Sequence, residues 1–199
     1  MNIEDRKRIS MSRLAVIFPG IGYTADKPLL YYSKRIAADH GYEIRMMDYK
    51  GFPAKVKGDR KNMEKSFAIA LQQSLEKLSD INMASYEDIL FIGKSIGTIV
   101  AAKIAAASRF RDRIRLILYT PLTDTFSFCF GKAIAFSGDD DPWVGKNESP
   151  VFGMCEKLGI PCFLIPDANH SLESKDVFAD MKELYRIMKE TERFICEDE

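Results

Sequence analysis

Short apolar runs alternate along the whole chain with longer stretches in which apolar residues recur at helical spacing. Continuous apolar runs are typical of strands buried on both faces, and the stretches between them predict helices that cover those faces. The predicted strands comprise residues 14–18, 43–48, 89–92, 114–119, 132–137 and 162–165. The predicted helices comprise residues 29–40, 63–78, 96–107, 151–158 and 175–192. The pattern therefore predicts an α/β fold, a three-layer α/β/α sandwich around a mainly parallel sheet.

The length of the chain, 199 residues, fits one domain with a substantial core, so we predict a single domain over residues 1–199. Residues 1–12 are charged and precede the first strand, which predicts a peripheral N-terminal segment. This segment lacks the apolar stretch of a secretory signal, and no apolar run approaches the roughly 18 residues that cross a bilayer. A cytoplasmic location is expected.

Charge and cysteine usage exclude several classes of partner. The 29 Lys and Arg residues balance the 29 Asp and Glu residues, which favours neither a nucleic acid nor a membrane as partner. The four cysteines form no CxxC pair and the chain has two histidines, so a metal site is not predicted. No cofactor is expected. The expected partner is a small-molecule substrate, and the sequence does not indicate an oligomeric state.

The residues Gly93-Lys94-Ser95-Ile96-Gly97 follow a predicted strand and open a predicted helix. This G-x-S-x-G pattern in a strand–turn–helix context is typical of a nucleophile elbow, a turn too tight for side chains at the two glycine positions. Such a turn lifts the Ser95 hydroxyl above the sheet. It also leaves the Ile96 N–H, at a helix N-terminus, free to stabilise an oxyanion.

A serine hydroxyl needs a base and a supporting acid. His170 follows the last predicted strand, at the same sheet edge as Ser95, and is the candidate general base. The acidic loop Gly138-Asp139-Asp140-Asp141-Pro142 follows another strand and lies between the two, which gives the order Ser, Asp, His. Asp124, in the loop after residues 114–119, is a second candidate acid.

These motifs, GKSIG, GDDDP and ANHS, each after the appropriate strand, resemble the α/β-hydrolase superfamily over nearly the whole chain from Leu14. In that family the acid loop often reads G-x-x-D, which implies that Asp141 is the acid. The family also has an HG or PG turn after an early strand, and Pro19-Gly20 matches it. The resemblance implies that the Ile21 N–H is the second oxyanion donor, with Gly22 as an alternative shifted by one residue.

The chain departs from the family pattern in two places. Family members commonly begin with two further strands, for which no residues are available before Leu14, so we expect about six strands rather than eight. The family's cap is normally inserted after the strand equivalent to 114–119, where residues 120–131 here form only a short loop. The resemblance therefore implies a small, lidless, esterase-like member.

Aromatic side chains in the loops beside these motifs are the candidate lining of a substrate pocket for an acyl chain or an aryl ester. They are Tyr23, Phe126, Phe128, Phe130 and Trp143. An equally plain interpretation of the phenylalanines is that they cover the core. Asn169 and Ser171 are expected to hold the histidine loop by hydrogen bonds.

A competing motif begins in the same glycine turn. Gly20, Gly22 and Ala25 read G-x-G-x-x-A, and Asp48 closes the next strand at the distance of a ribose-binding acid. A dinucleotide fingerprint requires the helix to begin inside the glycine turn. Pro28 would then interrupt the helix, so a helix that begins at Pro28 is favoured instead.

The function predicted from these residues is hydrolysis of a carboxylic ester or thioester through a Ser95–His170–Asp141 triad and an acyl-enzyme intermediate. An alternative of a different class is a catalytically silent binding module on the same fold. A dinucleotide-binding protein is the third and weakest interpretation. The sequence does not identify the acyl group or the leaving group.

Overall fold

The computed structural model describes residues 12–128, 131–145 and 150–196, which contain six strands and five α-helices. The strands are β1 (Arg13–Phe18), β2 (Tyr42–Met46), β3 (Asp88–Lys94), β4 (Ile114–Tyr119), β5 (Ala133–Gly138) and β6 (Cys162–Ile165). The helices are α1 (Pro28–Asp39), α2 (Arg60–Leu78), α3 (Ile96–Ala107), α4 (Pro150–Leu158) and α5 (Val177–Cys196). The predicted peripheral segment lies outside the described residues, except for Ser12.

All six strands pair in parallel, in the order β2-β1-β3-β4-β5-β6. The prediction of a parallel sheet of about six strands is confirmed. The chain runs outward from β1 to β2 and then returns to place β3 on the other side of β1. This reversal opens a crevice at the carboxyl ends of β1 and β3, which is where parallel sheets bind ligands.

Helices cover both faces of the sheet, which gives the predicted three layers. Helices α2, α3 and α4 pack on one face and helices α1 and α5 pack on the other. Strand β1, which lies between β2 and β3, is completely buried from Leu14 to Phe18, as its uninterrupted apolar sequence requires. Among the residues that the structure describes, no helix combines the length and apolar character needed to cross a bilayer.

Helix α5 extends past its predicted end at residue 192 to Cys196 because its last turn is anchored to the sheet. The buried Arg115 side chain donates to the carbonyl oxygens of Phe194, at 2.6 Å, and Ile195, at 3.2 Å. Arg115 also pairs with Asp88 at 2.7 Å. This charge-assisted bonding stabilises carbonyl groups that the end of a helix otherwise leaves unpaired.

Candidate active site

Ser95 lies in the turn between β3 and α3, with φ 55° and ψ −123°. A positive φ is strained for a residue with a side chain, and such residues cluster at functional sites. Hydrogen bonds to neighbouring residues keep Ser95 in this strained conformation. The Ser95 N–H donates to the Tyr119 carbonyl at 3.0 Å, and the Ser95 carbonyl accepts from both the N–H and the hydroxyl of Thr98.

The two glycine positions of the motif leave no room for a side chain. A Cβ atom on Gly93 would lie 2.8 Å from the Thr98 Cα atom, and one on Gly97 would lie 2.1 Å from the Phe18 carbonyl oxygen. Both contacts are shorter than real side chains allow. The turn therefore has the close packing that the sequence predicts for a nucleophile elbow.

The structure brings together the three side chains predicted as a triad. The Ser95 Oγ atom lies 2.8 Å from Nε2 of His170, and Nδ1 of His170 lies 2.7 Å from Oδ2 of Asp141. Because an ionised carboxylate only accepts hydrogen bonds, Nδ1 carries the imidazole proton and Nε2 is left as an acceptor. This tautomer is the one that can take a proton from the Ser95 hydroxyl.

Asp141 is completely buried, and both of its oxygens are used. Oδ2 accepts from His170, and Oδ1 accepts from the Trp143 N–H at 2.9 Å. The alternative acid, Asp124, lies exposed in a short 3₁₀ helix, Thr123–Ser127. The side chain that the structure places against the imidazole is thus that of Asp141.

The loop that carries His170 is fixed from several sides. The Asn169 Oδ1 atom accepts from the Ser171 N–H at 2.6 Å, in the role expected of Asn169. The Trp143 ring stacks on the His170 ring at a centroid distance of 5.3 Å. At the end of β5, a Cβ atom on Gly138 would lie 2.1 Å from the Ala168 carbonyl oxygen. The acid loop and the histidine loop therefore pack directly against each other.

The electrostatic surroundings keep His170 neutral. Burial lowers the pKa of His170 below its usual 6.5, and the positive charge of Lys94 lowers it further. The hydrogen bond that Nδ1 of His170 donates to Asp141 raises this pKa, but its effect is smaller than that of burial. A neutral imidazole at physiological pH is the form that accepts a proton.

The turn after β1 lies beside Ser95. It is closed by reciprocal backbone hydrogen bonds between Gly20 and Tyr23, and a Cβ atom on Gly20 would lie 3.3 Å from the Ser95 Cβ atom. Within the described part of the chain, the N–H groups of Ile21 and Ile96 make no hydrogen bond. Both remain available as oxyanion donors, and Gly22 follows in the same turn.

This turn does not have the form that a dinucleotide fingerprint requires. Helix α1 begins at Pro28, with Lys27 as its N-cap residue, so no helix N-terminus follows the glycines directly. The structure thereby removes the geometric basis of the dinucleotide interpretation of Gly20, Gly22 and Ala25.

A cleft of about 460 Å³ opens in front of Ser95. Of the predicted pocket residues, Tyr23 and Trp143 line it. The prediction for Phe126 is wrong: its 3₁₀ helix packs against α3, and the Phe126 side chain covers the core. Phe128 also packs on the core, and Phe130 lies outside the described residues.

The residues of the opposite wall of the cleft were not predicted from the sequence. The loop between β2 and α2 supplies this wall through Pro53, Lys55, Val56 and Lys57. Lys94, the residue between Gly93 and Ser95, also reaches the cleft. The sequence did contain a signal for the placement of Lys94. Alternate residues of a strand share a face, so Lys94, two residues beyond Ile92, lies on the same face of β3 as Ile92. No group of His, Cys, Asp or Glu among the described residues is arranged to hold a metal ion.

No protein-family model matches the chain, and no curated protein matches its sequence. Solved structures do match its fold. Est1E from Butyrivibrio proteoclasticus, in a complex with ferulic acid, has a TM-score of 0.67 at 14% identity, covering 96% of this chain and 91% of its own. An α/β serine hydrolase homologue from Coxiella burnetii has a TM-score of 0.61 at 17% identity, with 92% and 84% coverage.

A lidless α/β serine hydrolase from Xanthomonas campestris has a TM-score of 0.58 at 14% identity, covering 95% of this chain and 84% of its own. These similarities span nearly the full length of the chain and show that it has the α/β-hydrolase fold.

Proposed function

We propose that this α/β-hydrolase-fold protein is a serine hydrolase that cleaves a carboxylic ester or thioester. The observation that carries the proposal is the continuous hydrogen-bonded chain from Ser95 through His170 to the buried Asp141. A structural role for these residues would not require a serine with a strained backbone, a free cleft in front of it and a neutral histidine behind it.

In the first half of the proposed reaction, the Ser95 hydroxyl attacks the carbonyl carbon while Nε2 of His170 takes its proton. Asp141 stabilises the imidazolium that forms. The oxyanion is held by the N–H groups of Ile96 and Ile21, an arrangement in which one donor contributes about 3 kcal/mol to the transition state. His170 then protonates the leaving oxygen or sulfur, and the acyl group stays on Ser95.

In the second half, water enters the cleft and attacks the acyl-enzyme. His170 takes a proton from this water and returns it to the Ser95 oxygen as the acid product leaves. The leaving group of an ester or thioester needs less assistance from the general acid than that of an amide does. Esters and thioesters are therefore the first substrates to test.

The pH dependence of the reaction follows from the lowered pKa of His170. The imidazole must be neutral to act as a base, so kcat/KM falls as the pH drops through the pKa of His170 in the free enzyme. Burial and Lys94 place that pKa below 6.5, so we expect the acid limb of the kcat/KM profile to have its midpoint below 6.5. A profile measured with a neutral ester checks this, and a midpoint above 6.5 would contradict the electrostatics described for the site.

The direct test of the proposed function is turnover of 4-nitrophenyl acetate and of an acetyl thioester. Wild-type protein is expected to hydrolyse at least one of them, and Ser95→Ala is expected to reduce kcat/KM at least about 10³-fold, since it removes the nucleophile. Ser127→Ala is the matched control, because Ser127 is exposed in the 3₁₀ helix Thr123–Ser127. Equal activity of wild type and Ser95→Ala would show that the proposed nucleophile is wrong.

A further inference from the structure

The cleft in front of Ser95 has an unbalanced charge. Four lysines line it, Lys27, Lys55, Lys57 and Lys94, and none of its described lining residues is an aspartate or glutamate. The catalytic carboxylate of Asp141 is buried behind the imidazole, and its oxygens are occupied by His170 and the Trp143 N–H. Because the whole chain carries no net charge, this concentration of lysines is a local property of the cleft.

Lys94 is the most unusual member of the group, because only 1% of it is exposed to solvent. It is the last residue of β3 and shares a strand face with Ile92, so its side chain enters the layer between the sheet and α1. The Lys94 ammonium lies 5.0 Å from the centre of the Tyr23 ring. Within the described residues it makes no hydrogen bond and no ion pair. A buried ammonium without such partners is costly, so an acceptor from outside the chain would stabilise it.

The two carboxylates near enough to influence Lys94 do not neutralise it. Asp141 and Glu173 each raise the pKa of Lys94, but desolvation is the larger effect and lowers that pKa to about 7. The ammonium is therefore partly deprotonated near neutral pH, as expected of a buried cation that lacks a partner.

The other three lysines lie exposed at the mouth of the cleft, and two of them lie next to its aromatic side chains. The Lys57 ammonium lies 5.8 Å from the centre of the Trp143 ring, and the Lys27 ammonium lies 5.8 Å from the centre of the Tyr23 ring. Lysines at a mouth attract an anion by long-range electrostatics, and a desolvated lysine inside binds it at short range.

We propose that the cleft takes anionic substrates, esters or thioesters that carry a carboxylate or phosphate group, and that Lys94 is the residue that binds this group. This inference rests on the proposed function for the hydrolysed bond. The binding of the anion itself does not depend on catalysis, and the two parts can therefore be tested separately.

The binding experiment uses the full chain carrying Ser95→Ala and the fluorescence of Trp143, the only tryptophan, which lies in the cleft. The probes are glutarate, inorganic phosphate and the neutral diamide glutaramide. We expect at least one anion to change the fluorescence saturably and glutaramide to have no effect at equal concentrations. The tighter of the two anions identifies whether the site prefers a carboxylate or a phosphate.

Adding Lys94→Met to this protein is expected to weaken the anion roughly tenfold to a hundredfold, since hydrogen bonds to charged groups have about that effect on binding. Lys103→Met is the matched control, because Lys103 lies on α3 against Phe128 and does not line the cleft. If Lys94→Met does not fold, the comparison of anions with glutaramide still tests the inference. Equal effects of anions and glutaramide, or unchanged anion affinity in a folded Lys94→Met protein, would overturn it.

The kinetic experiment compares the 4-nitrophenyl monoester of glutaric acid with its neutral methyl diester. We expect wild type to have the lower KM for the anionic ester, and Lys94→Met to raise that KM roughly tenfold or more, with a smaller change for the diester. Hydrolysis of both esters with equal KM would overturn the inference and leave the proposed function in place. Selective anion binding without any hydrolysis would support the anion site and overturn the proposed function.

Discussion

The variant Asp141→Asn is expected to lose about 10³- to 10⁴-fold in kcat while remaining folded. The Asp141 carboxylate accepts two hydrogen bonds, from the Trp143 N–H and from Nδ1 of His170. An asparagine has one oxygen, and the Trp143 N–H requires it, so the amide NH₂ group would face His170. Nδ1 must then accept, which moves the imidazole proton to Nε2 and leaves no acceptor for the Ser95 hydroxyl.

The matched control is Asp124→Asn, which makes the same chemical change at an exposed position. Its activity should stay within about twofold of wild type, as is usual for surface substitutions. Steady-state kinetics on the best ester or thioester measures both variants, and circular dichroism verifies that they are folded. Retained activity in Asp141→Asn together with loss in Asp124→Asn would reverse the assignment of the acid.

The variant Gly97→Ala is expected to lower the free energy of unfolding by about 4 kcal/mol or more. The added Cβ atom would lie 2.1 Å from the Phe18 carbonyl oxygen and 2.6 Å from the Pro19 carbonyl oxygen. Both are backbone atoms, so the clash can be relieved only by moving α3 or the turn that carries Ile21. Any fraction that folds should therefore also lose the alignment of the oxyanion donors with Ser95.

Gly153→Ala is the control for this prediction, because Gly153 lies inside α4 and a Cβ atom there meets nothing within 4 Å. Alanine is the better helix former, so this variant should gain about 0.5–1 kcal/mol. Urea unfolding followed by circular dichroism compares the two substitutions. Wild-type stability in Gly97→Ala would show that the elbow is less tightly packed than the structure indicates.

Much of the fold could be predicted from the sequence because local pattern and tertiary structure agree. Strand β4 and helix α3 have the predicted bounds, since each consists mainly of apolar or small residues and is flanked by polar residues. The end of α5 could not be predicted, because its last turn depends on Arg115, which is distant in the sequence. The residues 193–196 themselves give no indication of that contact.

The candidate triad was accessible from sequence because each member follows a strand, and parallel strands end at one edge of the sheet. The positive charge of the cleft could not be predicted from the sequence. The exposed lysines of the cleft come from two loops, Lys27 from the loop before α1 and Lys55 and Lys57 from the loop between β2 and α2. They come together only because both loops fold over the same edge of the sheet. Phe126 was predicted to line the pocket but packs on the core, because an aromatic residue in a loop near the site can still face the core.

Labelling of the folded protein with a fluorophosphonate, followed by measurement of its intact mass, shows whether Ser95 is an activated nucleophile. We expect a single adduct on wild type, none on Ser95→Ala, and strongly slowed labelling of His170→Ala, which lacks the base. An adduct that persists in Ser95→Ala, or a folded wild type that takes no label, would show that Ser95 is not an activated nucleophile.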